Sequence, residues 1–196
     1  MTSFIAFIKQ QFRESASVKM ELAEKYPEEI EKIADLMIKA LKSDNKILWC
    51  GNGGSAADSQ HLSTELVSRF MFNRPAIPSL ALTTNTSLIT AHANDFGFDS
   101  IFSRQVEALG NRGDILVAIS TSGNSQNLIQ AIQTAKSNQI ITIALSGNKG
   151  GKIKNLADFS IIVPSDSTQR IQEGHITIGH ILCDLIEQSL YGETSS

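Results

Sequence analysis

A chain of 196 residues, 41% hydrophobic and 19% charged, has the length and composition of one well-buried globular domain. Its formal net charge of −3 offers no broad basic field for nucleic acid, so a small anionic ligand would have to be met by local backbone donors. The two cysteines, Cys50 and Cys183, stand in apolar runs and read as buried free thiols suited to a reducing cytoplasm; Lys9 and Arg13 interrupt the apolar start at Phe4, so neither a membrane span nor a cleaved leader is expected.

Residues 2 to about 26 lack Gly and Pro and predict a first helix carrying Phe4, Ile8 and Phe12. Pro27 starts a second, in which Ile30, Ile33, Ala34, Met37, Ile38 and Leu41 follow the i, i+3, i+4 pattern and Glu28, Glu29 and Glu31 suit the N-terminal turn. Both helices precede any strand. Residues 1–44 therefore read as a helical hairpin whose apolar stripe is expected at a subunit interface, joined to an α/β core over 45–196 in a single domain, 1–196.

The run from Lys46 to Ser55 is short, apolar and closed by glycines, as a buried strand is, and His61 and Glu65 follow at helical spacing. In the turn Gly51-Asn52-Gly53-Gly54-Ser55 the glycines let backbone N–H groups approach a ligand, and Ser55 is placed to cap a helix whose positive end would face an anion. The spacing is neither GxGxxG nor GxxxxGK[ST], which turns the reading away from a dinucleotide or a nucleoside triphosphate. His61 and Glu65 project from one helix face; as an isolated pair they are more often a solvated, salt-linked surface than a site.

Farther on, residues 78–83 predict a strand, 84–94 a loop with a short helix, 94–98 a polar turn and 101–109 a helix. Residues 114–120 are apolar at consecutive positions, as in a strand covered on both faces, and a helix over 126–137 follows. A strand at 140–145, a glycine turn at 147–151, a strand at 159–163 stopped by Pro164, and a final, mostly apolar helix at 169–191 complete the chain. Strands alternating with helices predict a doubly wound, five-stranded parallel sheet that binds its ligand beyond the carboxyl ends of the strands.

Between the third strand and its helix, Ser120-Thr121-Ser122-Gly123-Asn124-Ser125 offers four hydroxyls and a glycine to a phosphate; a polar turn with a serine cap is the plainer alternative. With no lysine there, a sugar phosphate fits better than a nucleotide.

Together the stretches Gly51-Asn-Gly-Gly-Ser55 with His61 and Glu65, Asn94-Asp-Phe-Gly-Phe98, Ser120-Thr-Ser-Gly-Asn-Ser125 and Arg170-Ile-Gln-Glu-Gly-His175 with His180 resemble the sugar isomerase (SIS) domain family, and within it the phosphoheptose isomerases. That resemblance covers nearly the whole chain. It implies a homotetramer with sites shared between subunits, converting sedoheptulose 7-phosphate to glycero-manno-heptose 7-phosphate in heptose synthesis for lipopolysaccharide. It implies further that Ser120, Thr121, Ser122 and Ser125 hold phosphate, that Asn52, Gly53, Gly54, Asn94 and Asp95 contact the sugar, and that Glu65, Gln172 and His180 surround the reacting carbons. Asn85 departs from the family pattern, where aspartate is expected, and Gly174 inside the last helix is a local oddity.

Moving a carbonyl between C1 and C2 needs one group to take and return a carbon-bound proton and another to shuttle a proton between the oxygens. Glu65, partly desolvated, is the candidate base and His180 its candidate partner, with a histidine satisfied inside a buried helix the alternative at His180. His175 and His92 read as packing histidines. His61, Glu65, Gln172 and His180 also make a donor set for Zn²⁺, in which glutamine is the poor ligand. The rival function is a non-catalytic scaffold of the same family that associates with a replication initiator; such relatives are expected to lack His180 and the Gly-Asn-Gly-Gly-Ser turn, both present here. A sugar-phosphate-sensing regulator is disfavoured because no DNA-binding segment adjoins the domain.

Overall fold

The computed structural model describes residues 3–192. The expected helix start at Thr2 lies outside them. Two helices, α1 (Phe4–Lys25) and α2 (Pro27–Lys42), lead into β1 (Ile47–Gly51) and α3 (Gly54–Val67). There follow β2 (Ser79–Ala81), α4 (Thr86–Phe96), a 3₁₀ turn at Phe98–Ser100 and α5 (Ile101–Leu109). The second half runs β3 (Ile115–Ser120), α6 (Gln126–Ser137), β4 (Ile141–Gly147), α7 (Ile153–Leu156), β5 (Phe159–Val163) and α8 (Thr168–Tyr191).

All strand pairs are parallel and the order is β2-β1-β3-β4-β5. The order reverses direction at β1 and β3, and a doubly wound sheet opens its ligand crevice at such a point, beyond the carboxyl ends. Gly51 at the end of β1 pairs with Ile119 near the end of β3, so the turns after these two strands are neighbours. Side chains alternate across the sheet into two cores. One contains Trp49, Val117, Leu145 and Val163 with α2, α3 and α8; the other contains Leu48, Leu116 and Ala144 with α5 and α6.

Three expectations need correction. The apolar stripe of α2 is not left for a neighbouring subunit: Ile33 and Met37 are fully buried in the core shared with α8 and the sheet. The exposed apolar face belongs to α1, where Phe4, Ile5, Phe7, Ile8 and Phe12 face solvent. Nor do Asn94 and Asp95 sit in a turn, because α4 continues through both to Phe96 and stops at Gly97. Finally, Ser55 does not cap α3; Gly53 holds that position with φ 55° and ψ −120°, a conformation that only glycine adopts without strain, and Ser55 is buried in the first turn.

The sequence oddities have local causes. Asn85 is the N-cap of α4, its side-chain oxygen accepting from the Leu88 amide at 3.0 Å, a duty aspartate performs equally. At Gly174 a Cβ would stand 2.8 Å from Val163, so glycine lets α8 lie close on β5.

Candidate active site

The site forms where α3 and α8 run side by side. At Gly179 a side chain would collide with Leu62, its Cβ coming 2.4 Å from Cδ1, so the glycine lets α8 settle onto α3. That approach brings His180 to His61, with the two Nε2 atoms 2.9 Å apart and the rings edge to face. Glu65, one turn beyond His61, puts Oε1 3.3 Å from the His61 Nε2; its side chain is 20% exposed against 49% for His61. One donor atom each from His61, Glu65 and His180 lies within 4.8 Å of the others. Burial pushes the His180 imidazole below its ordinary pKa, His61 adds to this, and the nearby Glu65 carboxylate works against both.

This trio fits a zinc ion. Ligand atoms at about 2.0–2.1 Å on a tetrahedron stand roughly 3.3 Å from one another, close to the 2.9 and 3.3 Å that separate His61 Nε2 from His180 Nε2 and from Glu65 Oε1, and two imidazole nitrogens with one carboxylate oxygen are a common zinc donor set. Gln172 lies earlier on α8 with its amide against Gly54, where a Cβ would be 2.2 Å from Nε2. It therefore faces the glycine turn that ends β1.

A buried pair supports the trio from behind, and sequence reasoning missed it. Glu187, fully buried on α8, accepts hydrogen bonds from the amides of Phe70, Met71 and Phe72 and from Nε of Arg74 at 2.9 Å. Arg74 in turn donates to the carbonyls of Glu65 and Leu66 at the end of α3. Burial alone would raise the Glu187 carboxyl, but the three amides and the guanidinium outweigh it and hold it below the usual glutamate range. Held in this way, Phe70 stacks on the His180 ring with centroids 5.7 Å apart. The signal in the sequence is a carboxylate one and four residues beyond the apolar Ile186 and Cys183, since a charge on an apolar helix face needs a partner.

The Ser120–Ser125 loop runs from the end of β3 to the N-terminus of α6. Ser120 is buried and its Oγ accepts from the Gly123 amide at 3.1 Å, while the exposed Ser122 accepts from the Asn124 amide at 3.2 Å. Thr121 is half-buried, and Ser125 occupies the N-cap of α6 without a side-chain capping bond. The second glycine turn braces this loop from the β4 side: Ile153 donates its amide to the Gly123 carbonyl and Lys152 to the Asn124 side chain. Asn52 is tied to the helix after this loop, because its side-chain amide and that of Asn127 hydrogen-bond to each other twice, each at 2.9 Å.

Asn94 and Asp95 are not brought to this group. Both are exposed in the last turn of α4, hydrogen-bonded to each other at 2.9 Å. His175 is fully buried, with Nε2 donating to the Ser146 carbonyl at 3.0 Å, and burial lowers its pKa to about 4. His92 pairs with Ser100 at 2.8 Å and stacks on Phe96.

The SIS domain family profile matches residues 10–147. The chain belongs to the SIS domain family. It is 50% identical over 189 residues to the phosphoheptose isomerase of Sulfurimonas denitrificans, covering 95% of this chain and 97% of the relative. To the Aquifex aeolicus protein of the same name it is 51% identical over 181 residues, 92% of this chain and 95% of that one. Among solved structures, the phosphoheptose isomerase of Neisseria gonorrhoeae superposes with a TM-score of 0.90 at 44% identity, covering 95% of this chain and all of that one. The Francisella tularensis phosphoheptose isomerase gives 0.92 at 40% identity, with the same coverage of both chains. Among the described residues of this SIS domain no helix is long and apolar enough to cross a membrane.

Proposed function

We infer that this protein is a phosphoheptose isomerase, an aldose–ketose isomerase converting sedoheptulose 7-phosphate to glycero-manno-heptose 7-phosphate, the opening step of heptose synthesis for lipopolysaccharide. The observation that carries the reading is the meeting of His61, Glu65 and His180 within 4.8 Å, in a chain about 50% identical over nearly its whole length to phosphoheptose isomerases.

The Ser120, Thr121, Ser122 and Ser125 hydroxyls and the free amides at the start of α6 take the phosphate, which does not react. Asn52, Gly53, Gly54 and Gln172 meet the sugar beside the β1 turn, and the exposed pair Asn94 and Asp95 serves a sugar held across a subunit boundary. Glu65 takes the proton from one carbon and returns it to the other, and His180, kept neutral by its surroundings, passes a proton between the two oxygens of the enediol. His61, Glu65 and His180, with Gln172 as the fourth donor, would hold a zinc ion, and a ligating Glu65 or His180 would have to leave the metal to take its part in proton transfer. When bound, zinc would polarise the substrate oxygens and stabilise their developing negative charge.

A homotetramer is supported by the exposed apolar face of α1 and by a neighbouring apolar groove of about 450 Å³ lined by Leu22, Ile30, Ile178, Ile181 and Leu185. Cys50 and Cys183, free and buried, suit the cytoplasm. The scaffold alternative does not account for His180 standing against His61 and Glu65. Incubating the purified protein with sedoheptulose 7-phosphate and following the anomeric proton signals by NMR tests the proposal: growth of the aldose phosphate is expected, and its absence with and without added zinc would overturn it.

A further inference from the structure

The reciprocal amide pair joins two loops that the sheet alone leaves separate. Asn52 lies in the turn after β1, beside Gly53 and Gly54, at the sugar end of the proposed site. Asn127 is the second residue of α6, directly behind the Ser120–Ser125 loop, and is 2% exposed. Its side chain leaves its own helix and crosses to Asn52, where each amide donates one N–H and accepts one, both at 2.9 Å. Such a pair requires two primary amides. Aspartate at either position would set oxygen against oxygen, and an apolar residue would leave the other amide without this partner, buried in the case of Asn127 and half-buried in that of Asn52. The strands below are also adjacent, with Gly51 paired to Ile119, so a short bridge suffices to fix the distance between the loops.

We propose that Asn127 is a positioning residue for the isomerisation, coupling the phosphate loop to the turn that holds the reacting end of the sugar. The inference rests on the isomerase reading for its substrate but not for its geometry. Once the phosphate is seated, its binding energy is available to orient the far end of the sugar only if the two loops are fixed to one another; the Asn52–Asn127 bridge supplies that rigidity. Neither asparagine side chain needs to touch a reacting atom for this to hold.

Two readouts test it, on the full-length protein and on its Asn127→Leu and Asn52→Ala variants and their combination. In hydrogen exchange with inorganic phosphate as the only ligand, the parent should gain protection in residues 121–127 and also in residues 51–56. Asn127→Leu should keep the first gain and lose the second. With sedoheptulose 7-phosphate, kcat should fall on the order of 10- to 100-fold in each single variant, with KM nearly unchanged in Asn127→Leu, and the double variant should be no worse in kcat than the poorer single one, as expected of two groups acting as one unit. Protection spreading equally in parent and variants, or confined to residues 121–127 in the parent, would overturn the coupling, as would additive kcat losses. A parent that couples the loops under phosphate but fails to turn over the sugar would refute the isomerase reading and leave the coupling intact. Should Asn127→Leu not fold, Asn52→Ala carries the same exchange test from the other side of the bridge.

Discussion

The imidazoles of His61 and His180 meet Nε2 to Nε2 at 2.9 Å, although they come from helices 119 residues apart in sequence. Two neutral imidazoles can approach so closely if one donates to the other, or if both offer lone pairs to a cation between them. With Glu65 beside them, the second arrangement predicts one zinc per chain. Elemental analysis after zinc soaking should find it, His180→Gln should lose it, and affinity measured by calorimetry should weaken as pH falls, because protons compete with the metal for nitrogen lone pairs. A parent protein that takes up no zinc, and isomerises fully in chelator, would remove the metal from the account.

A second expectation concerns acid stability. His175 is neutral in the folded chain until about pH 4 and near 6.5 when unfolded, so between those values the unfolded state binds the extra proton. Its contribution is complete above about pH 6.5 and is lost as pH falls towards 4. The slope approaches about 1.4 kcal/mol per pH unit, or roughly 3 kcal/mol across the window. His180, also lowered, acts in the same direction. Urea midpoints measured from pH 7.5 to 4.5 should fall below 6.5 in the parent and less steeply in His175→Gln; a parent with a flat profile would contradict this.

The Glu187 carboxylate should matter more to folding than its distance in sequence from the trio suggests. Glu187→Gln leaves the Arg74 guanidinium buried without its counter-charge, at a cost of about 3–5 kcal/mol. In the parent the depressed Glu187 pKa contributes stability above the ordinary glutamate value of about 4.3, and this is lost as pH falls below it. Denaturant titration at neutral pH checks the first effect, and a change below about 1 kcal/mol would show that the network is not needed.

Assembly should depend on α1 and not on α2. The double change Ile8→Glu with Phe12→Glu alters only exposed positions, so the chain should stay folded by circular dichroism while light scattering shows smaller particles. An unchanged mass would leave the exposed face of α1 without a part in assembly.

Much of this was legible in the residues, and the gaps have physical reasons. The parallel sheet followed from strands whose side chains are apolar at every position, as at Ile115–Ile119, and so did the placing of the Ser120–Ser125 loop, the proposed phosphate site, between such a strand and a helix. Helical spacing put His61 and Glu65 on one face, but it could not bring His180 to them, because that contact depends on Gly179 admitting Leu62. The fate of the α2 stripe was misjudged because periodicity reports that a face is buried and not against what. Asn127 and Glu187 went unread for the same reason: each acts through a partner far along the chain.

The measurement that bears most directly on the account is the turnover of Glu65→Gln with sedoheptulose 7-phosphate, followed by NMR beside the parent and Ser122→Ala. Glutamine keeps the size of the side chain and removes the group that can accept a carbon-bound proton. The account predicts a fall in kcat on the order of 10² to 10⁴ for Glu65→Gln with substrate affinity little changed, and weaker binding for Ser122→Ala. Turnover by Glu65→Gln near the parent rate would contradict it and make Glu65 a structural neighbour of His61, with the proton transfer passing to another group.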